Sequence, residues 1–287
     1  DLSDHAMWRQ ALCDGDVYAE AAPAMGRLIA RIAFHTSAFG VEQRELKARL
    51  AESVNPELCK IMEDLVFTEP YVEHEHNSYD PAIEPIVATL RQDPRVRDAV
   101  ARLKYAYMSR AEALLHGDFH TGSVMVRNGS CRAMDTEFSY YGPIAYDLGL
   151  LWGNFLIALA RARVLHRPAP VVEGIRGLLS ASWRAFVEEF NALWPNRIDH
   201  TFTDGFRGRW LRGVLVDALG FAGCEANRRV IGIGHVKDLE ELEGEAKVAA
   251  CGGILRASRA WIVDGERLAE ADDAVAAADA AIGRQTG

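Results

Sequence analysis

The sequence HGDFHTGS at residues 116–123 decides the fold of this chain. It is followed by a short apolar run, an Asn128-Gly129 pair, a second short run and then DTE at residues 135–137. Asn-Gly between two short apolar runs predicts a tight β-hairpin. The two polar motifs therefore lie on the loops that flank one hairpin, where their side chains can converge.

Residues on either side of this hairpin follow helical patterns that are interrupted at prolines. Apolar positions recur with helical spacing, and alanine-rich stretches favour the same conformation. Pro56 fits the first turn of a new helix. The predicted helices cover residues 16–39, 42–66 with a break near Asn55-Pro56, 83–112 with a break near Asp93-Pro94, 146–165, 171–194, 206–227 and a long stretch over 238–282. We expect a mainly α protein with a small β-hairpin as its single β element.

The composition argues against several classes of partner. The chain has 32 basic and 41 acidic residues among 287, a formal net charge of −9. A basic surface that tracks the phosphates of a nucleic acid is therefore not expected. No apolar run approaches the ~20 residues that span a bilayer. Five cysteines without metal-finger spacing indicate reduced thiols, so we expect a cytoplasmic protein with no membrane partner.

Three carboxylates, Asp118, Asp135 and Glu137, lie on the loops around the hairpin. Like charges held together disfavour ionisation unless a cation offsets them, and Mg²⁺ is a common solution. The alternative is that each is an ordinary surface turn residue. We predict that the set belongs to a site that binds a divalent cation.

The order of these motifs matches the template for phosphoryl transfer. In that template an aspartate in an H-R-D-x-x-x-x-N loop contacts the acceptor hydroxyl, and an acid after a short hairpin holds the metal on the phosphates. HGD in place of HRD is the form found in small-molecule kinases that resemble the aminoglycoside phosphotransferases and choline kinases. Ser123 stands where those enzymes have Asn, which leaves Glu137 as the second metal ligand.

A narrower resemblance runs through nearly the whole chain. HGDFHTGSVMV at residues 116–126 and AMDTEFSYYGPIAYDLG at residues 133–149 resemble the catalytic and metal loops of the 5-methylthioribose kinase family, in which Ser123 is expected. Residues 1–9, 67–77 and 224–239 resemble further segments of that family. The resemblance implies transfer of the γ-phosphate of ATP, with Mg²⁺, to the 1-hydroxyl of methylthioribose in methionine salvage, and it suggests a homodimer.

The resemblance also implies roles for individual residues. Asp118 is the implied catalytic residue, which contacts the substrate and orients its hydroxyl. Asp135 and Glu137 are the implied Mg²⁺ ligands. Arg228 and Arg229 are implied to bind the substrate and the transferring group. The alternative for these arginines is an exposed basic pair at a helix end.

Four residues are predicted to support the catalytic loop: His116, His120, Ser123 and Asp147. A rival interpretation takes His116, Asp118 and His120 as metal ligands of a hydrolase, because His-x-Asp-x-His is compact and rich in nitrogen and oxygen donors. Such a site needs a further ligand. The remaining histidines are expected to form no comparable cluster: His5, His35, His74, His76, His166, His200 and His235.

The fold that the resemblance implies is the C-terminal lobe of a protein-kinase-like fold. Two subregions would be helical, residues 1–112 and residues 143–287, and the second of these would bind substrate. The segment between them, residues 113–142, would contain the catalytic loop, the hairpin and the metal loop. The chain has no G-x-G-x-x-G motif, so we expect a strand-rich N-terminal lobe outside these residues and no catalysis by the chain alone. A related kinase for an aminoglycoside, choline or another sugar, and a non-catalytic binding module, remain alternatives.

Overall fold

A computed structural model describes residues 2–283, so residue 1 and residues 284–287 of the predicted subregions lie outside the described part. The described chain is mainly helical. Its helices are α1 Trp8–Asp14, α2 Ala21–Thr36, α3 Gln43–Glu52, α4 Pro56–Phe67, α5 Glu84–Gln92, α6 Pro94–Ser109, α7 Ala145–Val164, α8 Ala169–Leu193, α9 Asp204–Ile231, α10 Lys237–Glu240, α11 Gly244–Asp264 and α12 Ala271–Ile282. Its strands are β1 Ala6–Met7, β2 Ala113–Leu115, β3 Val124–Arg127, β4 Ser130–Ala133 and β5 Tyr140–Gly142.

The predicted helix breaks at two prolines are confirmed. Helix α4 begins at Pro56 and α6 at Pro94, where a missing N–H costs no helical hydrogen bond. The Asp93 side chain caps α6 by accepting a hydrogen bond from the backbone N–H of Arg95 at 2.9 Å. The long stretch predicted from residue 238 is instead three helices, because Gly244 adopts a positive φ of 53° and residues 265–267 form a 3₁₀ turn.

The hairpin is confirmed, but the prediction that it is the single β element is wrong. Strands β3 and β4 pair antiparallel from Val124 opposite Ala133 to Arg127 opposite Ser130, and Gly129 supplies a positive φ of 74° in the turn. Strand β1 adds to β3, and β2 pairs with β5. These additional strands span two or three residues each, too few to show an alternating pattern.

Pairing of β2 with β5 brings the two polar motifs to one place. Leu115 at the end of β2 lies opposite Tyr140 at the start of β5. The loop that leaves β2 at residue 116 and the loop that reaches β5 at residue 139 are therefore neighbours. Convergence of the motifs is thus a consequence of strand pairing as well as of the hairpin.

Helix α7 forms the centre of the core, with every residue from Ala145 to Ala162 buried. It packs against α9 at Gly153, where a Cβ would lie 2.8 Å from the side chain of Glu225. None of the described helices combines the length and apolar character needed to cross a membrane. All five cysteines are free thiols, as predicted.

Candidate active site

The loop that carries Asp118 is held by backbone hydrogen bonds on both sides. Asp147, in the first turn of α7, accepts hydrogen bonds from the backbone N–H groups of His116 at 2.8 Å and Gly117 at 3.0 Å. Burial raises the pKa of Asp147, and these two donors and His116 act against that rise. His116 donates from Nε2 to the Met134 carbonyl at 2.7 Å, which fastens the loop to the end of the hairpin.

Gly117 permits close contact between the loop that carries Asp118 and the loop at residues 134–139. Its φ is +86°, a conformation that L side chains rarely adopt. A Cβ at this position would lie 2.1 Å from the Phe138 carbonyl oxygen. A side chain here would therefore separate the two loops, and glycine is required between His116 and Asp118.

Asp118 is partly buried and faces two nitrogen-bearing side chains. Its Oδ2 lies 3.3 Å from His120 Nε2, and its Oδ1 accepts a hydrogen bond from Arg228 Nη2 at 3.3 Å. Burial acts to raise the pKa of Asp118, but the hydrogen bond with His120 and the charges of Arg228 and Arg229 outweigh it. The pKa is held well below its ordinary value, so the carboxylate is ionised at neutral pH.

His120 lies between the Asp118 carboxylate and the Ser123 hydroxyl. Burial lowers the pKa of His120, and its contact with Asp118 offsets this effect in part. Ser123 Oγ donates to the Asp118 backbone carbonyl at 3.0 Å and lies 3.2 Å from His120 Nδ1. The Asp118 carboxylate thus lies against an imidazole whose ring is oriented by the same loop.

Arg228 and Arg229 lie at the C-terminal end of α9, and the alternative of an exposed basic pair does not hold. They are 4% and 8% exposed. Both bind the carboxylate of Glu225, Arg228 through Nε at 2.5 Å and Arg229 through Nε at 2.8 Å. Burial acts to lower the pKa of Arg228, and the charges of Glu225 and Asp118 outweigh it and raise that pKa.

Glu225 is the functional candidate that the sequence reasoning missed. It is fully buried, and the two arginines lower its pKa to about 2 against the effect of burial. Asn154 on α7 donates to Glu225 at 3.2 Å and accepts from Arg9 at 2.8 Å, which extends the network towards α1. The spacing was a visible signal, since residues three and four apart on a helix are neighbours.

Asp135 and Glu137 differ from Asp118 and Arg228 in exposure and contacts. Both are exposed, and Asp135 adopts a left-handed conformation with φ of 63°. Within residues 2–283 neither carboxylate is hydrogen-bonded or ion-paired to another side chain, including that of Asp118. Asn55 Nδ2 donates to the Glu137 backbone carbonyl at 2.9 Å and so fixes the loop through its main chain.

The rival hydrolase site is not supported by the geometry. His116 donates from Nε2 to Met134, and its Nδ1 accepts the Asp118 backbone N–H at 3.4 Å, so both ring nitrogens are engaged. In the described chain the side chains grouped closely enough to share a metal ion are Glu69, His74 and His76. The expectation that the other histidines form no comparable cluster is wrong for His74 and His76, because the local turn brings both rings to the Glu69 carboxylate.

Comparison with known proteins shows the family to which the chain belongs. Residues 14–186 match the phosphotransferase enzyme family, so the chain belongs to that family. The match includes residues 116–139 and Asp147, while Arg228 and Arg229 lie beyond it.

The similar curated proteins are methylthioribose kinases, and the chain belongs to their family. The chain is 41% identical to the methylthioribose kinase of Yersinia pestis (strain Pestoides F). The matched region covers 88% of this chain and 63% of that protein. It is 40% identical to the methylthioribose kinase of Yersinia enterocolitica, over 96% of this chain and 71% of that protein. It is also 40% identical to the methylthioribose kinase of Pectobacterium carotovorum, over 95% of this chain and 70% of that protein. Among solved structures, glucosamine kinase in crystal form B has a TM-score of 0.45 and 18% identity, covering 79% of this chain and 58% of that chain.

Proposed function

We propose that this chain forms the acceptor-binding and metal-binding half of a kinase that transfers the γ-phosphate of ATP to the 1-hydroxyl of methylthioribose. The observation that carries the proposal is the ionised Asp118 carboxylate, held between His120 and Arg228. The identity of 40% to a methylthioribose kinase over 96% of the chain supports the choice of acceptor.

Asp118 orients the acceptor hydroxyl by accepting its hydrogen bond. Because its pKa is held well below the ordinary value, the carboxylate is a weak base. It therefore does not remove the hydroxyl proton in advance. It takes up the proton as the oxygen–phosphorus bond forms, which suits a loose transition state in which the attacking oxygen needs little activation.

Arg228 and Arg229 stabilise negative charge on the transferring group and bind the sugar. Both guanidinium groups are largely withdrawn from water, where charges interact more strongly than in bulk solvent. Glu225 balances their charge and holds each through its Nε, so the pair needs no rearrangement when substrate binds. Glu225 is thus a positioning residue.

Asp135 and Glu137 would hold Mg²⁺. Their oxygens are the hard donors that this ion prefers, and neither carboxylate is engaged by a described side chain. When bound, the ion supplies positive charge to the phosphate oxygens of ATP. His116, Ser123 and Asp147 support the catalytic loop through the hydrogen bonds described above.

We also propose that an N-terminal lobe outside these residues completes the nucleotide site, and that this chain is the C-terminal lobe of a kinase-like fold. The chain spans 63% of the length of the Yersinia pestis relative, which leaves room for such a lobe. The homodimer and the cytoplasmic location stay predictions. Light scattering on the two-lobed protein, meaning this chain joined to its N-terminal lobe, tests the dimer.

The acceptor is tested by an ADP-release assay of the two-lobed protein with Mg²⁺ and ATP. Methylthioribose is compared with glucosamine, choline and an aminoglycoside at equal concentrations. We expect turnover with methylthioribose and a product phosphorylated at the 1-hydroxyl by ³¹P NMR. Turnover with another acceptor alone would overturn the choice of sugar, and no acceptor-dependent turnover would favour a binding module.

A further inference from the structure

Glu69, His74 and His76 bring one carboxylate and two imidazoles together on the segment that follows α4. The proposed phosphoryl transfer uses none of them. One potential ligand atom from each residue lies within 4.8 Å of the other two. Glu69 Oε2 is 3.0 Å from His76 Nδ1 and 3.8 Å from His74 Nδ1. Around an ion with bonds of about 2.0–2.1 Å, tetrahedral ligands are separated by about 3.4 Å, so these distances bracket the required spacing.

The Glu69 carboxylate is buried without a fixed cation beside it. Glu69 is 7% exposed, and its ion-pair partners in the described chain are the two imidazoles. No lysine or arginine of the described residues pairs with it. Buried carboxylates are ordinarily paired with a positive charge or coordinate a metal ion, and a bound cation would supply that charge here.

The histidines are held in a turn that presents both rings to Glu69. Asn77 N donates to the His74 carbonyl at 3.0 Å, and the Asn77 side chain donates to the Val72 carbonyl at 2.8 Å. His74 Nδ1 accepts the His76 backbone N–H at 3.2 Å, so this nitrogen is unprotonated, and an ion bound there would replace that hydrogen bond. The ring centroids of His74 and His76 are 4.6 Å apart. The turn therefore organises the potential ligands before an ion binds.

The same segment is fastened to the helix that carries the arginine pair. Ser78 N donates to the Ile231 carbonyl at 2.8 Å, and Asn227 Nδ2 donates to the Tyr71 hydroxyl at 3.1 Å. Ile231 and Asn227 lie on α9 on either side of Arg228 and Arg229. An ion held at the Glu69 turn would therefore stiffen a segment that supports this end of α9.

We propose that Glu69, His74 and His76 form a transition-metal site, with Zn²⁺ as the best-suited ion. Two imidazoles and one carboxylate favour Zn²⁺ over Mg²⁺, which takes oxygen ligands almost exclusively. Three protein ligands leave a fourth position for water. The ion stabilises the segment against α9 and is separate from the Mg²⁺ that Asp135 and Glu137 would hold.

The test measures Zn²⁺ binding by the full 287-residue chain, purified without a histidine tag. Isothermal titration with Zn²⁺ should give one saturable site per chain, and Zn²⁺ should raise the melting temperature. Replacing Zn²⁺ by Co²⁺ should give the intense visible absorption of tetrahedral coordination. If Glu69 and His76 form only a hydrogen-bonded pair, no saturable binding occurs and the proposal is overturned.

Two variants and a matched control locate the site. E69Q and the double variant H74A/H76A should each bind Zn²⁺ at least ~10-fold more weakly, since even outer-shell changes cost ~10–100-fold. The control H166A/H200A removes two exposed histidines and should bind like the unaltered chain. Equal binding by H74A/H76A and the control would assign the Zn²⁺ to scattered surface histidines and overturn the proposal. E69Q, which keeps the side-chain shape, provides the answer if the double variant does not fold.

Binding is measured without ATP or sugar, so its outcome is independent of the proposed kinase activity. Zn²⁺ binding without turnover would refute the kinase proposal alone. Turnover without Zn²⁺ binding would refute the metal site alone.

Discussion

Two regions of the candidate site differ in how their charged side chains are surrounded: the group formed by Asp118, Glu225 and Arg228, and the loop that carries Asp135 and Glu137. Arg228 and Glu225 are buried and ion-paired, and Arg228 also reaches the ionised Asp118. Asp135 and Glu137 are exposed and engage no other described side chain. In the proposed kinase, the charges that would contact substrate are balanced within the protein. The carboxylates that would hold Mg²⁺ are left in water, where an unpaired carboxylate costs little.

This difference separates two kinds of mutational effect. Removing a charge from the buried network leaves its partner uncompensated, so stability and activity should fall together. Removing a carboxylate from the metal loop should affect metal-dependent binding and leave stability unchanged. Substitutions in each region test this separation, with activities measured on the two-lobed protein.

E225Q should lower the free energy of unfolding by about 3–5 kcal/mol, the cost of removing one partner from a buried ion pair. It leaves two buried guanidinium groups without their shared carboxylate. Urea denaturation measures the effect. The control E189Q removes a carboxylate that pairs with the exposed Arg31 and should cost at most about 1 kcal/mol. Equal losses in the two variants would show that burial of the pair contributes little.

D118N should lower turnover by at least ~100-fold, the range for losing a positioned base, while the affinity for nucleotide changes little. The amide cannot accept the hydroxyl proton. Steady-state kinetics and nucleotide titration measure the two effects. D272N, at an exposed position in the first turn of α12, should retain full activity. Near-normal turnover of D118N would remove Asp118 from the mechanism.

D135N and E137Q should each weaken binding of ATP with Mg²⁺ at least ~10-fold, the scale at which changes around a metal site act. Binding of ATP without Mg²⁺ and the free energy of unfolding should be unchanged, because both side chains are exposed. Calorimetry with and without Mg²⁺ gives the comparison. Equal effects under both conditions would refute metal ligation, and a loss of stability would contradict the contrast drawn above.

R228K should lower kcat/KM by roughly tenfold, the equivalent of one hydrogen bond to a charged group. Lysine keeps the charge but cannot reproduce the planar group that contacts Glu225 through Nε and Asp118 through Nη2. The substitution K247R, at a position outside the network, is the control. Full activity of R228K would show that charge alone is sufficient.

The pH dependence of stability should reflect His120, the smallest effect. Its pKa is lowered in the folded state, mainly by burial. As pH falls below about 6.5, the unfolded chain gains a proton that the folded chain resists, so this contribution to stability is lost. Melting temperatures between pH 7.5 and 5.5 should fall less steeply for H120Q than for the unaltered chain. H200Q, at an exposed histidine, should leave the slope of melting temperature against pH unchanged. An equally steep slope for H120Q would show that His120 does not cause this pH dependence.

Much of the fold was predictable because its signals are local. Pro56 and Pro94 begin helices, and Asn128-Gly129 forms the hairpin turn, since each depends on the conformational limits of a few adjacent residues. Strand β1 was not predictable, because Ala6 and Met7 become a strand by pairing with Val126 and Met125, far away in sequence. Helix α1 was also missed.

The candidate site divides in the same way. The identities of Asp118, Asp135, Glu137, Arg228 and Arg229 were taken from motifs. The motifs did not predict how far these residues are buried, and both arginines are buried. Glu225 could have been noticed from its spacing to the arginines, whereas its contact with Asn154 depends on the packing of α7 against α9.

The helical class and the hairpin could be predicted from the sequence, because they depend on conformational preferences within a few residues. The residues of the proposed chemistry came from motifs and from the family resemblance. Tertiary packing determines which charges are buried and balanced, how Asp118 meets Arg228, and that Glu69 meets two histidines. Those properties arise from desolvation and from contacts between distant segments, which packing brings together and which no local pattern specifies.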